Sequence, residues 1–406
     1  MAVGTADLPE LLPVAGLRIA VGSAGIKRPG RKDLVLFEIG EGASVAAVFT
    51  QNRFCAAPVI VAREHLGRRT PRYLLINTGN ANAGTGQAGL QAARRCCLAL
   101  AELMDCEAES VLPFSTGVIG ERLPLAKIEA ALPGLPALLD ADNWLAAANG
   151  IMTTDTRPKA SSVRVECDGR RFTVTGIAKG AGMIKPNMAT MLGYVATDAP
   201  LAGPLLQSLL EDVVNRSFNR ITIDGDTSTN DACVLIATGA AGGERLESSD
   251  SPAYRSLRDA VEKVFIELAQ SIVRDGEGAT KFVTVAVREG RNREECLRAA
   301  FTIAESPLVK TALFASDPNW GRILAALGRA GVADLDVEGV SVTINGVVVA
   351  EHGGLAASYT EAEGQRAMAP EEIVIDVSLG RGNAAETVWT TDLSHDYIKI
   401  NAEYRS

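Results

Sequence analysis

Apolar and polar positions recur with two different periods along the chain, which predicts a mixed α/β fold. Early in the chain, short runs rich in Val, Ile and Phe are bounded by Gly or Asn and predict strands. These strands are predicted at Leu34–Phe37, Ser44–Thr50 and Tyr73–Asn77. A three- and four-residue spacing of apolar side chains then predicts a helix over Gly89–Asp105.

The same periods continue to the end of the chain. Further helices are predicted at Leu125–Leu132, Leu201–Ser217, Pro252–Ile272 and Trp320–Ala330. Further strands are predicted at Thr173–Ala178, Met191–Ala196, Ala232–Thr238, Phe282–Val287, Ser341–Ala350, Ile373–Leu379 and Glu386–Thr391. Because this order does not alternate strictly between strand and helix, mixed α/β with much antiparallel pairing fits it best. Gly239–Pro252 is predicted to be an exposed loop.

Composition and charge narrow the possible partners. The 406 residues are 47% hydrophobic, enough for a substantial core. The net charge of −9 argues against nucleic acid as a partner, because phosphate binding needs clustered cationic surface. No apolar stretch is long enough for a membrane-spanning helix, and the first residues do not resemble a signal peptide. We therefore expect small-molecule or protein partners, no membrane partner, and a cytoplasmic location.

Cysteines and histidines give no catalytic or metal-binding pattern. The seven cysteines are an odd set without a Cys-x-x-Cys pair, so we expect reduced thiols in the core, with neither disulfides nor a metal site. The three histidines, His65, His352 and His395, lie in unrelated polar contexts and are predicted to be at the surface. A catalytic triad would have to recruit one of them without local support.

One familiar motif is present in the glycine-rich run Gly84–Gly89, which reads GTGQAG and opens the predicted helix. It matches the dinucleotide-binding fingerprint. That fingerprint requires its first glycine to follow the strand almost directly, whereas six residues, 78–83, separate the predicted strand from Gly84 here. A turn that needs left-handed backbone is therefore the preferred interpretation, and an NAD-dependent dehydrogenase is a weaker alternative.

The most unusual segment is KGAGMIKPNMATMLG, residues 179–193. Its Gly and Pro residues precede an apolar run that begins at Thr190, where a loop enters a strand. A threonine hydroxyl in such a place can attack the preceding carbonyl, shift the acyl group to oxygen and become a new N-terminus. The freed α-amine would then serve as the base of a threonine nucleophile. From the residues alone, β-propensity is the preferred explanation of a threonine at the start of a strand.

This segment closely resembles the self-cleavage motif of the ornithine acetyltransferase family, which is the glutamate N-acetyltransferase of the cyclic arginine pathway. Other blocks resemble the family in the same order: NTGNANAGTGQAG, PFSTGVIGERLP, MTTDTRPK, NRSFNRITIDGDTSTND, RDGEGATKF, ASDPNWGRI and YIKINAEYRS. The resemblance implies an α/β (α+β) sandwich of the type shared with self-cleaving aminopeptidases, with mixed, largely antiparallel sheets flanked by helices. It also implies an alpha chain, 1–189, and a beta chain, 190–406.

Catalytic residues can be carried over from the family motif by motif. Thr190 is the implied nucleophile, and the bond between Ala189 and Thr190 is the implied cleavage site. Thr116 and Gly117 are the implied oxyanion hole, which suits a tetrahedral intermediate that needs preorganised donors. Without the resemblance, the segment from residue 115 to 120 would be interpreted as an ordinary β-turn.

Substrate contacts are implied for six residues: Thr153, Lys179, Thr190, Glu277, Asn401 and Ser406. The chemistry is coherent, because N-acetylornithine offers a carboxylate, an amide and an ammonium group. A lysine can bind the carboxylate, a glutamate the ammonium, and the hydroxyl and amide side chains the neutral groups. Ser406 stands where the family is expected to have threonine, so its placement is less secure.

The resemblance implies acetyl transfer from N-acetyl-L-ornithine to L-glutamate through an acetyl-Thr190 intermediate. No cofactor or metal is implied, although acetyl-CoA is a candidate co-substrate that some family members use. The cleaved chains are implied to assemble as two alpha and two beta chains. The main alternative is a self-cleaving aminopeptidase of related fold, which should not show the arginine-pathway blocks.

Overall fold

The computed structural model describes residues 2–4, 7–167, 169–185 and 191–403. Within these ranges the strands are β1 (Leu17–Gly22), β2 (Leu34–Ile39), β3 (Ser44–Phe49), β4 (Tyr73–Asn80), β5 (Val111–Val118), β6 (Lys159–Cys167), β7 (Arg170–Lys179), β8 (Leu192–Thr197), β9 (Ala232–Ala237), β10 (Phe282–Gly290), β11 (Ser341–Ile344), β12 (Val347–Glu351), β13 (Gly354–Leu355), β14 (Glu372–Ser378) and β15 (Ala384–Thr391). The helices are α1 (Ala57–Leu66), α2 (Gly86–Met104), α3 (Leu125–Ala131), α4 (Trp144–Gly150), α5 (Gly203–Arg216), α6 (Pro252–Arg274), α7 (Arg293–Ala304), α8 (Pro307–Phe314), α9 (Trp320–Gly328), α10 (Glu361–Met368) and α11 (His395–Ala402).

Two sheets pack face to face in the first two thirds of the chain. The first sheet has the order β1-β2-β4-β5 and the second has the order β3-β9-β8-β7-β6. Aromatic rings from both sheets meet between them, since Phe37 of β2 and Phe114 of β5 each lie 5.4 Å from Tyr194 of β8, measured between ring centroids. These rings belong to one buried apolar core. The core fixes the relative position of the strand ends that form the site described below.

Helices cover the outer face of each sheet. Helix α2 buries Ala93, Cys97 and Leu100 against the first sheet. Helix α6 packs its apolar stripe against the second sheet, in a core shared with α5. Ser251 caps α6 by accepting a hydrogen bond from the Tyr254 amide, and Pro252 occupies the first turn, where its missing N–H is harmless. The result is a four-layer sandwich of helix, sheet, sheet and helix.

A third sheet, with the order β13-β12-β11-β14-β10-β15, has its own core with helices α7 to α10. It joins the sandwich beside β15, where the Arg220 guanidinium lies 3.1 Å from the Glu386 carboxylate. Most strand pairs are antiparallel, and the named parallel pairs are β4–β5, β8–β9 and β10–β14. The predicted fold class, with mixed and largely antiparallel sheets flanked by helices, is therefore confirmed.

Two of the predictions were wrong. The segment Ser341–Ala350 is a hairpin of β11 and β12 rather than one strand, because Asn345 and Gly346 turn the chain with positive φ angles of 44° and 81°. An Asn-Gly pair favours this two-residue turn, so the sequence carried the signal. His65 is buried rather than exposed, and its Nδ1 lies 2.8 Å from the Val111 carbonyl oxygen.

The glycine-rich run Gly84–Gly89 forms the turn into α2. Gly84 and Gly86 have φ angles of 69° and 58°, as predicted for left-handed backbone. The side chains of Asn82 and Thr85 fill the space above the helix start, since a Cβ at Gly89 would lie 1.9 Å from Thr85 Oγ1. The Asn82 amide also donates to the Gly89 carbonyl. A dinucleotide phosphate would have to displace these groups.

The cysteines are all free thiols, and Cys96, Cys97, Cys233 and Cys296 are buried. Burial raises the pKa of the Cys96 thiol to about 12. The predicted core position is therefore found for these four cysteines, while the other three are partly exposed. Among the helices of the described ranges, none combines the length and apolar character that a membrane crossing requires.

Candidate active site

A cavity of about 240 Å³ lies where the ends of β5 and β7 meet the starts of β8 and β9. Its lining contains every predicted site residue that the structure describes: Thr116, Gly117, Thr153, Lys179, Glu277 and Asn401. The other three predicted positions, Ala189, Thr190 and Ser406, lie outside the described residues. The fold thus gathers side chains that are up to 285 positions apart in the sequence.

Thr116 and Gly117 lie in β5, directly before its last residue, and are not part of a β-turn. Strand β4 is irregular beside them, at Gly79 and Asn80. Gly117 has a φ angle of 136°, and a Cβ built there would lie 2.3 Å from the Gly79 carbonyl carbon. No side chain fits such a close approach of two backbones, so only glycine is compatible with this position. Gly117 also lines the cavity.

Asn230, a cavity residue that sequence reasoning missed, ties the two sheets together beside Thr116. Its side-chain amide donates to the Ala81 carbonyl at 2.6 Å and to the Ser115 carbonyl at 2.9 Å. The Thr229 hydroxyl in turn donates to the Asn230 amide oxygen at 2.6 Å. Because every one of these groups is fixed by a partner, the backbone around Thr116 is held before any ligand binds.

Lys179 ends β7 and brings a cation into the cavity. Its Nζ donates to Thr116 Oγ1 at 3.3 Å. Burial lowers the pKa of Lys179 below its usual value, although the nearby Asp155 carboxylate favours the charged form. A partly desolvated ammonium of this kind gains strongly from a bound carboxylate, since a charge-assisted hydrogen bond is worth more away from water.

Asp155 holds the backbone at Thr153 and at Gly180, directly after this lysine. Its carboxylate accepts from the Thr153 amide at 2.9 Å and from the Gly180 amide at 2.7 Å. Burial alone would raise the pKa of Asp155, but the Lys159 ammonium 2.6 Å away and Lys179 hold it well below its usual range. Asp155 is therefore an ionised anchor that positions two predicted substrate contacts.

Lys159 links this anchor to the other side of the cavity. Its Nζ lies 2.6 Å from both Asp155 and Asp275, and all three side chains are fully shielded from solvent. The Asp275 carboxylate also accepts from the Thr156 amide at 3.0 Å. Asp275 precedes Glu277 by two residues, so this buried ionic triad of Asp155, Lys159 and Asp275 fixes the loop that carries Glu277.

Glu277 brings the opposite charge into the cavity and is 9% exposed. Its carboxylate accepts from the Asn401 side-chain amide at 2.9 Å. A Cβ at Gly182 would lie 2.3 Å from Glu277 Oε2, so the glycine makes room for this carboxylate. The Glu277 amide donates to the Ala181 carbonyl at 2.8 Å, which joins the two loops.

Residues 181–185, within the segment 179–193, are held by later parts of the chain. The Asp224 carboxylate accepts from the amides of Met183 and Ile184. The Lys185 ammonium lies 2.8 Å from the Glu305 carboxylate. Met183 has a φ angle of 55°, a backbone conformation that residues other than Gly and Asn seldom adopt. After the gap in the described residues, β8 begins at Leu192 beside β9.

Asp231 is a further cavity residue that sequence reasoning missed. It is 4% exposed, and its Oδ2 finds no hydrogen-bond partner in the part of the chain that the structure describes. Burial raises the pKa of Asp231 well above its usual range, against the smaller opposing effects of the Ser228 hydroxyl and the Lys179 ammonium. The signal in the sequence was its position directly before the apolar strand β9, whose neighbour β8 follows the cleavage segment.

These groups make the cavity suited to a small zwitterion. A cation, Lys179, and an anion, Glu277, face one space that also offers hydroxyl and amide groups. Free amino acids carry both charges and little apolar surface. No cluster of three or more His, Cys, Asp or Glu side chains arranged to hold a metal ion occurs among the described residues.

The relationship to known proteins is decided by a family model, described as the ArgJ family, that matches residues 18–406. The chain belongs to the ArgJ family. A relative from Pseudomonas syringae pv. tomato, named arginine biosynthesis bifunctional protein ArgJ, is 60% identical over 406 residues, all of both chains. The protein of that name from Pseudomonas fluorescens is also 60% identical over the full length of both chains.

A solved structure of the ArgJ protein from Bacillus halodurans is 38% identical, with a TM-score of 0.50. The match covers 52% of this chain and 99% of the solved one. The resemblance to the ornithine acetyltransferase family, drawn from sequence blocks, is thereby confirmed. The family match extends across every block on which it was based.

Proposed function

We propose that this protein transfers the acetyl group of N-acetyl-L-ornithine to L-glutamate through an acetyl-Thr190 intermediate, after cleaving itself between Ala189 and Thr190. The class of activity, an acyltransferase of arginine biosynthesis, is confirmed by ArgJ family membership and by full-length relatives named for that pathway. The individual steps and the residues that perform them are the proposal. The cavity that gathers Thr116, Gly117, Lys179 and Glu277 is the observation that carries it.

Self-cleavage is supported by the segment on either side of the proposed bond. Residues 181–185 are anchored by the carboxylates of Asp224 and Glu305. The Glu277 backbone amide also donates to the Ala181 carbonyl. On the other side, the Met191 carbonyl accepts from the Ala232 amide at 3.1 Å, where β8 and β9 begin. These contacts would keep the two new ends in place after cleavage. The solved Bacillus halodurans chain matches about half of this one, the share expected of one product.

Acetyl transfer would begin with the Thr190 hydroxyl attacking the acetyl carbonyl of the donor. The freed α-amine of Thr190 would accept the hydroxyl proton, because its ordinary pKa lies near about 8. The Gly117 N–H and the Thr116 hydroxyl would stabilise the negative charge that develops on the carbonyl oxygen. Loss of one such donor typically costs about 2.7–4 kcal/mol of activation free energy.

Both amino acids would occupy the same cavity in turn. Lys179 would bind the carboxylate of either substrate, and Glu277 would bind the ammonium group of ornithine. Thr153, Asn401 and Ser406 would complete the contacts with hydrogen bonds to the remaining polar groups. Successive use of a single cavity by donor and acceptor implies two-step, ping-pong kinetics. No cofactor is proposed.

Three further properties belong to the same proposal. Acetyl-CoA is proposed as a second acetyl donor, so that the enzyme also makes N-acetylglutamate directly. The two cleaved products would stay associated, because each contributes part of the cavity, and would assemble as two of each. The protein is proposed to act in the cytoplasm.

The test compares wild type with Thr190→Ala and Thr190→Ser. Initial rates of ornithine release are measured over a grid of N-acetylornithine and glutamate concentrations. Parallel double-reciprocal lines are expected for wild type, reduced activity for Thr190→Ser, and none for Thr190→Ala. Acetyl transfer by the Thr190→Ala protein at more than a trace of the wild-type rate would overturn the proposal. Glutamate acetylation from acetyl-CoA, measured in parallel, decides the second donor.

A further inference from the structure

One polar group of the cavity has no task in the reaction just proposed. The Asp231 carboxyl is buried, faces the cavity, and leaves its Oδ2 without a hydrogen-bond partner among the described residues. Buried polar atoms are almost always paired, so an unpaired one in a binding cavity indicates a group reserved for a ligand. The other cavity charges, Lys179 and Glu277, each have a partner within the protein.

The position of Asp231 in the sheet indicates which ligand atom it meets. Asp231 directly precedes β9, which pairs in parallel with β8, and the Ala232 amide donates to the Met191 carbonyl. Asp231 therefore lies beside the point where the downstream product would start. The oxyanion-hole residues Thr116 and Gly117 line the same cavity of about 240 Å³. A substrate held there would place its reacting amide within reach of Asp231.

The charges around Asp231 favour a protonated carboxyl. The Asp231 carboxyl is shielded from water, and this burial disfavours its ionised form. Lys179 on β7 and Cys55 before α1 are the titratable groups that interact with it electrostatically. Lys179 also interacts electrostatically with Asp155, Lys159 and Glu277, so Asp231 is only one of several charged groups around it. A neutral carboxyl can donate a proton, whereas an ionised one cannot.

We infer that Asp231 is the general acid that protonates the departing nitrogen of the acetyl donor, and the base that deprotonates the incoming amine. This inference rests on the proposed function. In the first half-reaction, the Thr190 α-amine takes the hydroxyl proton and the new C–O bond forms. As the C–N bond breaks, the Asp231 proton passes to nitrogen, and ornithine leaves as the amine. The acetyl enzyme then holds an α-ammonium and an Asp231 carboxylate.

The second half-reaction returns both protons. The neutral amine of glutamate attacks the ester carbonyl, and its N–H proton passes to the Asp231 carboxylate. As the C–O bond breaks, the α-ammonium gives its proton back to the Thr190 oxygen. N-Acetylglutamate leaves, and the enzyme regains a neutral amine and a neutral carboxyl. Protons and electron pairs balance without any additional reactant.

The test uses two acetyl donors that differ in how much their leaving groups need a proton. An amine leaves an amide only when protonated, whereas p-nitrophenolate leaves p-nitrophenyl acetate as a stable anion. First-turnover rates are measured for both donors with wild type and Asp231→Asn. The amide reaction is expected to fall by about 10²–10⁴-fold, the usual contribution of a general acid. The ester reaction, corrected for the Thr190→Ala background, is expected to stay near the wild-type rate.

The matched control is Asp198→Asn. Asp198 is also buried, and burial also raises its pKa, but it accepts a hydrogen bond from the Thr173 amide and lies outside the cavity. Both donors should react at the wild-type rate in this variant.

Each other outcome overturns the inference. An equal fall with both donors would make Asp231 a structural residue, and no fall with either would make it dispensable. Failure of Asp231→Asn to divide at Ala189–Thr190 would assign the residue to self-cleavage instead. A wild-type protein that shows no reaction with N-acetylornithine would contradict the proposed function itself, which separates the two failures.

Discussion

Replacing Lys159 by Met tests whether the buried ionic triad holds the cavity together. The Lys159 ammonium lies 2.6 Å from the carboxylates of Asp155 and Asp275, with none of the three exposed to solvent. Methionine approximates the length of the lysine stem but carries no charge. The variant would therefore leave two carboxylates buried without the cation between them.

Removing one member of a buried ion pair typically costs about 3–5 kcal/mol of unfolding free energy. With an unfolding entropy of about 2.1 cal/mol/K per residue, that loss lowers the Tm of this chain by about 4–6 °C. The matched control is Lys263→Met, which deletes an exposed lysine 3.9 Å from Glu267. An exposed pair is worth about 0–1 kcal/mol, so the control should shift the Tm by no more than about 1 °C.

The pH dependence gives the Lys159→Met experiment its sharpest form. The pKa of Asp155 is lowered in the folded wild type, so its contribution to stability is present above the unfolded pKa of about 3.9. In the variant the buried carboxylates prefer the protonated form, and folding becomes easier as the pH falls. The loss of Tm should therefore be largest at pH 7 and smaller at pH 5, as measured by scanning calorimetry. An equal loss of Tm at both pH values, or a loss no larger than that of Lys263→Met, would show that the charge of Lys159 does not stabilise the buried carboxylates.

Three other substitutions test the oxyanion hole, the position of Glu277 and the β11–β12 turn. Thr116→Val should lower kcat, measured by ornithine release, by about 10²–10³-fold, while Thr116→Ser should keep most of the activity. Equal kcat values in both variants would show that the Thr116 hydroxyl is not part of the oxyanion hole. Gly182→Ala places a Cβ 2.3 Å from Glu277 Oε2, so titration calorimetry should show weaker ornithine binding; unchanged affinity would contradict that role for Glu277. A Cβ at Gly346 would meet no neighbouring atom, but the residue has a φ angle of 81°. Gly346→Ala should therefore lower the free energy of unfolding by about 1 kcal/mol, as measured by thermal unfolding, and no loss would contradict the turn assignment.

Much of the fold could be predicted because the local sequence signals agree with the elements that the chain forms. Helix α6 shows its apolar stripe, its Ser251 cap and its Pro252 start within one stretch of sequence. The predicted strand at Ile373–Leu379 matches β14 to within a residue or so at each end. The hairpin at Asn345 and Gly346 was missed although its turn signal was present, because an apolar run on both sides was interpreted as one strand. The burial of His65 had no local signal, since its partner is the backbone of β5.

The candidate site could be predicted only as far as sequence blocks reach. The blocks led to Thr116, Gly117, Lys179 and Glu277, and the structure brings all four to one cavity. Their positioning groups could not be found in the same way. Lys159 and Asp275 are more than a hundred residues apart and meet only because β6 lies against the end of α6.

The role of Asp231 could not be predicted from its local sequence, because it depends on which strands pair. On its own it ends a polar run before a strand, where a carboxylate is usually solvated. Its importance appears only when β9 pairs in parallel with β8 and the cavity closes over it. Parallel pairing joins strands distant in sequence, and periodicity in one strand does not identify its neighbour.

Intact-mass spectrometry under denaturing conditions, before and after N-acetylornithine is added without glutamate, tests both self-cleavage and the acetylation of Thr190. We expect two products, residues 1–189 and a second that begins Thr-Met-Leu-Gly. Only the second product should gain one acetyl group, and glutamate should remove it. An undivided chain would contradict self-cleavage at Ala189–Thr190, and an acetyl group on the upstream product would contradict Thr190 as the nucleophile.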